Sequence, residues 1–311
     1  MVLTAVAGAA AIAGAGLGAA GHTTRVSVAN DGAEAALGGF RGATSGTGRY
    51  VVFASGSTLT AAPAGGKVQL YVRDRAAGTT HLASASAARA AATADVEFGD
   101  AADPPFAVTP DGRYVAFATR AGNLVAGDDA TSLDVFRKDL RTGDVVLASQ
   151  NSAAARPNAD VGGNPSISAD GSRVVFTTGA ATNLVPGGDA NGAAGDVVLR
   201  DVAAGTTTLV SANTAGVQAN DFTERPSISA DGRVVAFEAG PNTTNFYAGD
   251  VDAGNGGTND IIVKNLATGV ATPAAVVDGA AVTATNIKGG NFPDLSGDGR
   301  YVVFQTSAAL V

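Results

Sequence analysis

Ser168-Ala169-Asp170-Gly171-Ser172-Arg173-Val174-Val175-Phe176-Thr177-Thr178 reads as a tight turn running into a strand. Asp-Gly supplies the positive φ that a short hairpin turn needs, and the β-branched and aromatic run behind it favours extended backbone. Val174, Val175 and Phe176 are apolar at consecutive positions, the pattern of a strand covered on both faces of its sheet. The same signature returns as TSGTGRYVVFAS at 44–55, TPDGRYVAFAT at 109–119, SADGRVVAFEA at 229–239 and SGDGRYVVFQT at 296–306. Its Phe falls at Phe53, Phe117, Phe176, Phe237 and Phe304, roughly every sixty residues, a period that marks a repeat architecture.

A second motif follows each of the first four: QLYVRDRAAGTTHLAS from Gln69, DVFRKDLRTGDVVLAS from Asp134, DVVLRDVAAGTTTLVS from Asp196 and DIIVKNLATGVATPAA from Asp260. Each unit therefore predicts four short strands: one before the Asp-Gly turn, one after it, and two joined through the Thr-Gly or Ala-Gly turn. Four-stranded antiparallel units in series, each covered by its neighbours, predict an all-β protein, a β-propeller. The first repeat departs from the pattern with Gly46-Thr47-Gly48, and the fourth has Asn265 where the others have Asp.

The P-S-I-S-A-D-G pattern at Pro165 and Pro226 and the D-V-x-x-R-D pattern resemble the WD40-like repeats of TolB-type propellers, over residues 23–311. That resemblance implies an exported bacterial propeller and is specific for fold rather than activity. The expected blades are 42–86, 105–149, 165–213 and 226–277, with a partial blade at 293–311. Residues 23–29 (TTRVSVA) match a fourth strand such as 206–212 and read as a closing strand. The last unit stops after two strands, so the sequence reads as five repeats cut from a larger ring with open edges.

Residues 1–21 form an uncharged run of small and apolar residues ending in Gly21 and followed by polar His22-Thr23-Thr24-Arg25. This reads as a signal segment for export, with a secreted or cell-surface location or, alternatively, a periplasmic one. An uncleaved membrane anchor is the rival, and the only route by which a membrane enters the partner list. Gly16 to Gly21 spells a formal G-x-G-x-x-G, but no strand precedes it, so no dinucleotide site is read there.

Among 311 residues, 45% are hydrophobic, 15% are charged and Gly occurs 42 times. Cys and Trp are absent and His occurs twice, which excludes disulfides, thiol nucleophiles and Cys-based zinc sites. A net charge of −8 argues against nucleic acid as a partner, since phosphate binding needs basic patches. The tight turns lie on one rim of the sheets and the long links on the other. The long links hold 19 of the 28 acids but 7 of the 20 bases, so the long-loop face is acidic and would draw a cationic ligand or a basic protein surface.

Asp/Asn clusters mark that face: Asp128-Asp129 leading to Asp134, Asp189-Ala190-Asn191 leading to Asp196, and Asp250-Val251-Asp252 leading to Asn255 and Asp260. The ligand-face candidates are Asp128, Asp129, Asp189, Asn191, Asp196, Asp250, Asp252 and Asp260. Ca2+ takes six to eight oxygens on flexible loops, so Asp189, Asn191, Asp196, Asp250, Asp252, Asn255 and Asp260 are its candidate ligands. No other cofactor is expected. No EF-hand Glu ends these loops, and Asp, Asn and Gly also serve simply as turn formers.

No catalytic residue emerges. His22 lies by the export segment, His81 lies on an outermost strand, and no G-x-S-x-G elbow occurs. Carboxylate pairs such as Asp100/Asp103 and Asp250/Asp252 are supported by sequence proximity alone. The expected function is a non-catalytic extracytoplasmic binding platform using the acidic face. A propeller hydrolase or lyase, or the accessory propeller of a larger hydrolase, is the alternative, and a cell-surface spacer is a third.

Overall fold

A computed structural model describes residues 23–97, 106–192, 194–246, 259–274 and 289–306. The proposed export segment 1–21 lies outside these. The described chain is a series of antiparallel sheets. The first blade is β1 (Phe40–Thr44), β2 (Tyr50–Ser55), β3 (Gln69–Asp74) and β4 (Thr79–Leu82); the second is β5 (Phe106–Val108), β6 (Tyr114–Thr119), β7 (Asp134–Asp139) and β8 (Val145–Leu147). The third is β9 (Gly163–Ile167), β10 (Arg173–Thr177), β11 (Val197–Asp201) and β12 (Thr206–Leu209), and the fourth is β13 (Thr223–Ile228), β14 (Val234–Ala239), β15 (Asp260–Asn265) and β16 (Ala271–Pro273). A two-stranded half-blade, β17 (Asn291–Leu295) and β18 (Val302–Gln305), follows. Strand order within each sheet is sequential, the meander that the paired turns predict. A single 3-10 turn, Thr182–Leu184, is the only helical element among the described residues.

The consecutive apolar residues of each second strand face two different layers. Val52, Leu70 and Val72 of blade one meet Val115, Phe117 and Phe136 of blade two in one core. Ala116, Ala118 and Val135, on the other face of blade two, meet Val174, Phe176 and Val198 of blade three. Val175, Val197 and Leu199 meet Val235, Phe237 and Ile262 in the next layer. Phe117, Phe136, Phe176 and Phe237 are fully buried, each contributing about 1.5–3 kcal/mol by leaving water.

Three further contacts repeat from blade to blade. At the turn rim, the residue at the start of one second strand covers the next blade's turn glycine. A Cβ on Gly112 would fall inside the Tyr50 ring, and one on Gly171 inside the Tyr114 ring; Gly112 and Gly171 also hold φ of +70° and +71°, so only glycine serves there. Beside this socket, Ala169 N donates to Ala230 O and Ala230 N to Gly297 O, both at 2.8 Å. On the inner strands, Ile228 N donates to Ser166 Oγ at 3.2 Å and Leu295 N to Ser227 Oγ at 3.0 Å.

At the outer edge a cation on each third strand, buried in blades two to four and half-buried at Arg73 of blade one, grips the tail of the preceding segment. Lys138 Nζ donates to Ala85 O (2.8 Å), Ser86 O (3.2 Å) and its own turn's Gly143 O (2.7 Å). Lys264 Nζ reaches Ala212 O and Asn213 O. Where the cation is arginine, the work is shared with a threonine paired to it across the strands. Arg200 donates to Asn151 O while Thr207 Oγ1 serves Gln150 O, and Arg73 donates to Ala29 O while Thr80 Oγ1 serves Val28 O at 2.6 Å. Lys138 and Lys264 stand opposite Val145 and Ala271, which have no hydroxyl, so the lysine serves both carbonyls.

Residues 23–29 form no strand. Val28 makes an isolated antiparallel bridge to Glu34, and the segment lies against blade one as the tails of later blades lie against their successors. The first strands also carry a feature the sequence does not announce. Arg41, Asn164, Arg225 and Phe292 all hold φ between 48° and 58°, each at an irregularity in the pairing of the first and second strands. Such bulges bend the strand and store strain of about 1–3 kcal/mol for a non-glycine residue.

Candidate functional site

The long links emerge on one rim, and in blades two and three their acids converge on the entry to the third strand. Asp134 is the first residue of β7 and Asp196 stands immediately before β11, and both are buried. Each is clasped by a serine just beyond the fourth strand: Ser149 Oγ donates to Asp134 Oδ1 and Ser211 Oγ to Asp196 Oδ1, both at 2.7 Å. The serines in turn accept from Val135 N at 3.0 Å and Val197 N at 3.1 Å. Blade one builds the same clasp without charge, Ser84 Oγ donating to Gln69 Oε1 at 2.6 Å.

Blade two supplies its own counter-charge. Arg156, from the link after β8, donates to Asp128 Oδ1 through both terminal nitrogens (3.0 and 2.7 Å) and lies 3.6 Å from Asp134 Oδ2. The Asp128 side chain is 3% exposed, and its Oδ2 has no hydrogen-bond partner. Burial pushes Asp128 up and Asp134 up to about 6, against the pull of Ser149 and Arg156. Asp129 stays exposed and is held below the usual carboxylate range by the Thr131 N–H.

Blade three repeats the geometry with a neutral group at its centre. Gln218 follows β12 as Arg156 follows β8. Its Nε2 lies 3.0 Å from Asp189 Oδ1, 3.1 Å from Asn191 Oδ1 and 2.7 Å from Asp196 Oδ2, while its Oε1 accepts from Ala190 N at 2.9 Å. One NH2 group thus faces three oxygens with two protons, and among the described residues no cation pairs with the two carboxylates that share the site. Burial, then the neighbouring Asp189 charge, push Asp196 up to about 6 against the hydrogen bond from Ser211. Asp189 and Asn191 are half-buried at the loop surface.

The structure therefore brings Asp189, Asn191 and Asp196 together, and Asp128 with Asp134. It turns Asp128, Asp196 and Asp260 inward rather than leaving them on an open acidic face. Asp250, Asp252 and Asn255 lie outside the described residues, as do Asp100 and Asp103. Among the described residues no three His, Cys, Asp or Glu side chains form a metal-holding group; the blade-three cluster has two carboxylates and two amides. His81 is exposed on β4, 3.2 Å from Thr79 Oγ1. Among the described residues no helix is long and apolar enough to cross a membrane. The partners Arg156, Gln218, Ser149 and Ser211 escape a reading of the acidic loops, because each lies in the following strand or link.

No protein-family model matches the sequence, and no curated protein matches it. Solved structures do resemble it. TolB from Acinetobacter baumannii is 15% identical with a TM-score of 0.47, the match covering 87% of this chain and 49% of that one, so this chain spans about half its length. A TolB-type protein from Agrobacterium tumefaciens is 15% identical with a TM-score of 0.45, over 85% and 68% of the two chains. An oligogalacturonate lyase in complex with manganese is 14% identical with a TM-score of 0.47, over 86% and 58%. These likenesses concern fold and carry no activity across. By its own repeated sheets the chain is a β-propeller of four-stranded blades, similar in fold to TolB.

Proposed function

We propose that the chain is a non-catalytic binding platform whose long-loop rim captures a cationic group, with Asp189, Asn191, Asp196 and Gln218 of blade three as the contact point. The observation that supports this reading is the contrast between neighbouring blades: Arg156 pairs with Asp128 and Asp134, whereas Asp189 and Asp196 meet the neutral Gln218 and have no counter-charge among the described residues. A lysine or arginine of a partner protein would complete the third blade as Arg156 completes the second. Ca2+ is a second reading of the same place, favoured by three side-chain oxygens that already converge on one point. Export of the chain and a partner outside the cytoplasm belong to the same proposal.

The test is calorimetric titration of EDTA-treated protein with an oligolysine peptide and, separately, with CaCl2. Binding of the peptide that weakens with salt and falls at least fivefold in Asp189→Asn is the expected result for a basic partner. Binding of Ca2+ that is lost in the same variant supports the ion instead. If neither probe binds, or if both bind Asp189→Asn as well as the wild type, the platform is not where we place it.

A further inference from the structure

We propose that the outer edge of blade two docks an extended, uncharged segment of a partner polypeptide, which adds to β8 as a fifth strand. No residue of the blade-three site takes part. In an antiparallel edge strand, alternate residues bond inward to the neighbouring strand and point N–H and C=O outward. Asp139 N donates to Asp144 O and Ala148 N to Val135 O, which fixes the phase: Val145 and Leu147 face outward. The counterparts of Val145 are Thr80, Thr207 and Ala271, each opposite the latch cation of its own blade.

In the other three blades the preceding tail seals this position with one side-chain oxygen. Thr80 N donates to Asn30 Oδ1. Thr207 N donates to Ser152 Oγ at 2.8 Å, and that hydroxyl donates to Thr207 O at 3.2 Å. Ala271 N donates to Thr214 Oγ1 at 3.1 Å, and Thr214 Oγ1 to Ala271 O at 3.4 Å. The tails align on a shared turn, in which Ala29, Ser86, Asn151 and Asn213 donate their N–H to Ala33, Ala90, Ala155 and Val217. The next residue is Asn30, Ala87, Ser152 or Thr214. Only Ala87 has no polar side chain, so no described residue seals the Val145 N–H and C=O.

A groove of about 430 Å³ follows this open edge, lined by β8 itself with Val125, Ala126, Gln150, Ala154 and Arg156. Arg156 is the one charge in that lining, and Asp128 already holds it. What the groove offers is therefore apolar surface and main-chain groups at strand spacing, the complement of another neutral backbone. An uncapped sheet edge is a template for strand addition, its main-chain bonds giving affinity and alternate side chains giving selectivity. The partner's strand would take over the place that Asn30, Ser152 and Thr214 fill in the sister blades, extending the tail-to-edge contact that the fold already uses.

The test is amide hydrogen exchange of the full chain, read residue by residue by NMR, with and without peptides selected on the protein from a phage-displayed random heptapeptide library. In the free protein the Val145 N–H is expected to exchange faster than the sealed N–H groups of Thr207 and Ala271, and a selected peptide is expected to slow it. Ala87→Ser copies Ser152; because Ala87 is exposed, the variant should keep the circular dichroism of the wild type. It should bind the selected peptide about tenfold more weakly, the loss of roughly two hydrogen bonds. A Val145 N–H already protected in the free protein would overturn the proposal. So would a selection in which no peptide both slows that exchange and distinguishes Ala87→Ser from the wild type.

Discussion

Replacing Asp196 by asparagine is expected to stabilise the protein at neutral pH, although it removes the centre of the proposed site. Asp196 is fully buried, and its pKa rises from 3.8 to about 6. At about 1.4 kcal/mol per unit, holding this group ionised at pH 7.5 costs on the order of 3 kcal/mol. The sign follows from the direction of the shift. The folded state takes up its proton near pH 6 and the unfolded state near 3.8, so the cost is full above pH 6, recedes as pH falls between the two values, and is gone below them. Asparagine keeps an oxygen for Ser211 Oγ but meets the Gln218 amide donor to donor, a loss of about 1–2 kcal/mol. The net gain at pH 7.5 is therefore about 1–2 kcal/mol, a rise in Tm of a few degrees for a domain of this size. The assay is thermal melting of wild type and Asp196→Asn in EDTA from pH 7.5 to 4; comparing the two isolates this carboxyl from the rest. The advantage of the variant should shrink through pH 6–4 and vanish or invert at pH 4. A variant that is less stable at pH 7.5, with a difference independent of pH, would refute the argument.

Arg156→Gln converts the second blade to the third blade's arrangement and leaves Asp128 and Asp134 facing each other; with the arginine partly exposed, a loss of about 1–3 kcal/mol at pH 7.5, smaller at pH 4.5, is expected in the same melts. Lys138→Met leaves Ala85 O and Ser86 O without their donor and should lower stability by about 2–4 kcal/mol. The pair Lys138→Arg with Val145→Thr, which copies blades one and three, should recover most of that loss, and a double variant no better than Lys138→Met would show that the latch is not interchangeable. Gly171→Ala drives a methyl into the Tyr114 ring at a positive φ and should cost about 2–4 kcal/mol, read as a denaturation midpoint.

The blades are legible because each rests on local chemistry that repeats. Asp-Gly before Val174-Val175-Phe176 specifies a turn, a strand and burial on both faces within a few residues, and the structure has each. The cation latch was equally open to a comparison of repeats, since Arg73 and Arg200 travel with Thr80 and Thr207 while Lys138 and Lys264 travel with Val145 and Ala271. The site is legible only in part. Alternating Asp and Asn at 189 and 191 mark the loop, but whether an acid faces water or a buried neighbour depends on Arg156 and Gln218, which arrive from the next link. The left-handed residues Arg41, Asn164, Arg225 and Phe292 leave no trace in sequence, because their conformation is imposed by the bulge and not by glycine.

The outer latch also sets an order of assembly. Lys138 closes on a carbonyl 53 residues behind it, Arg200 on one 49 residues behind, and Lys264 on one 52 residues behind. During synthesis each blade's tail therefore stays unfastened until the third strand of the next blade has been made, and the newest blade is always the loosest. Traction on the carboxyl end would release the fasteners last-made first, one blade at a time, so that the series of blades would come apart as a staircase of similar steps rather than in a single collapse.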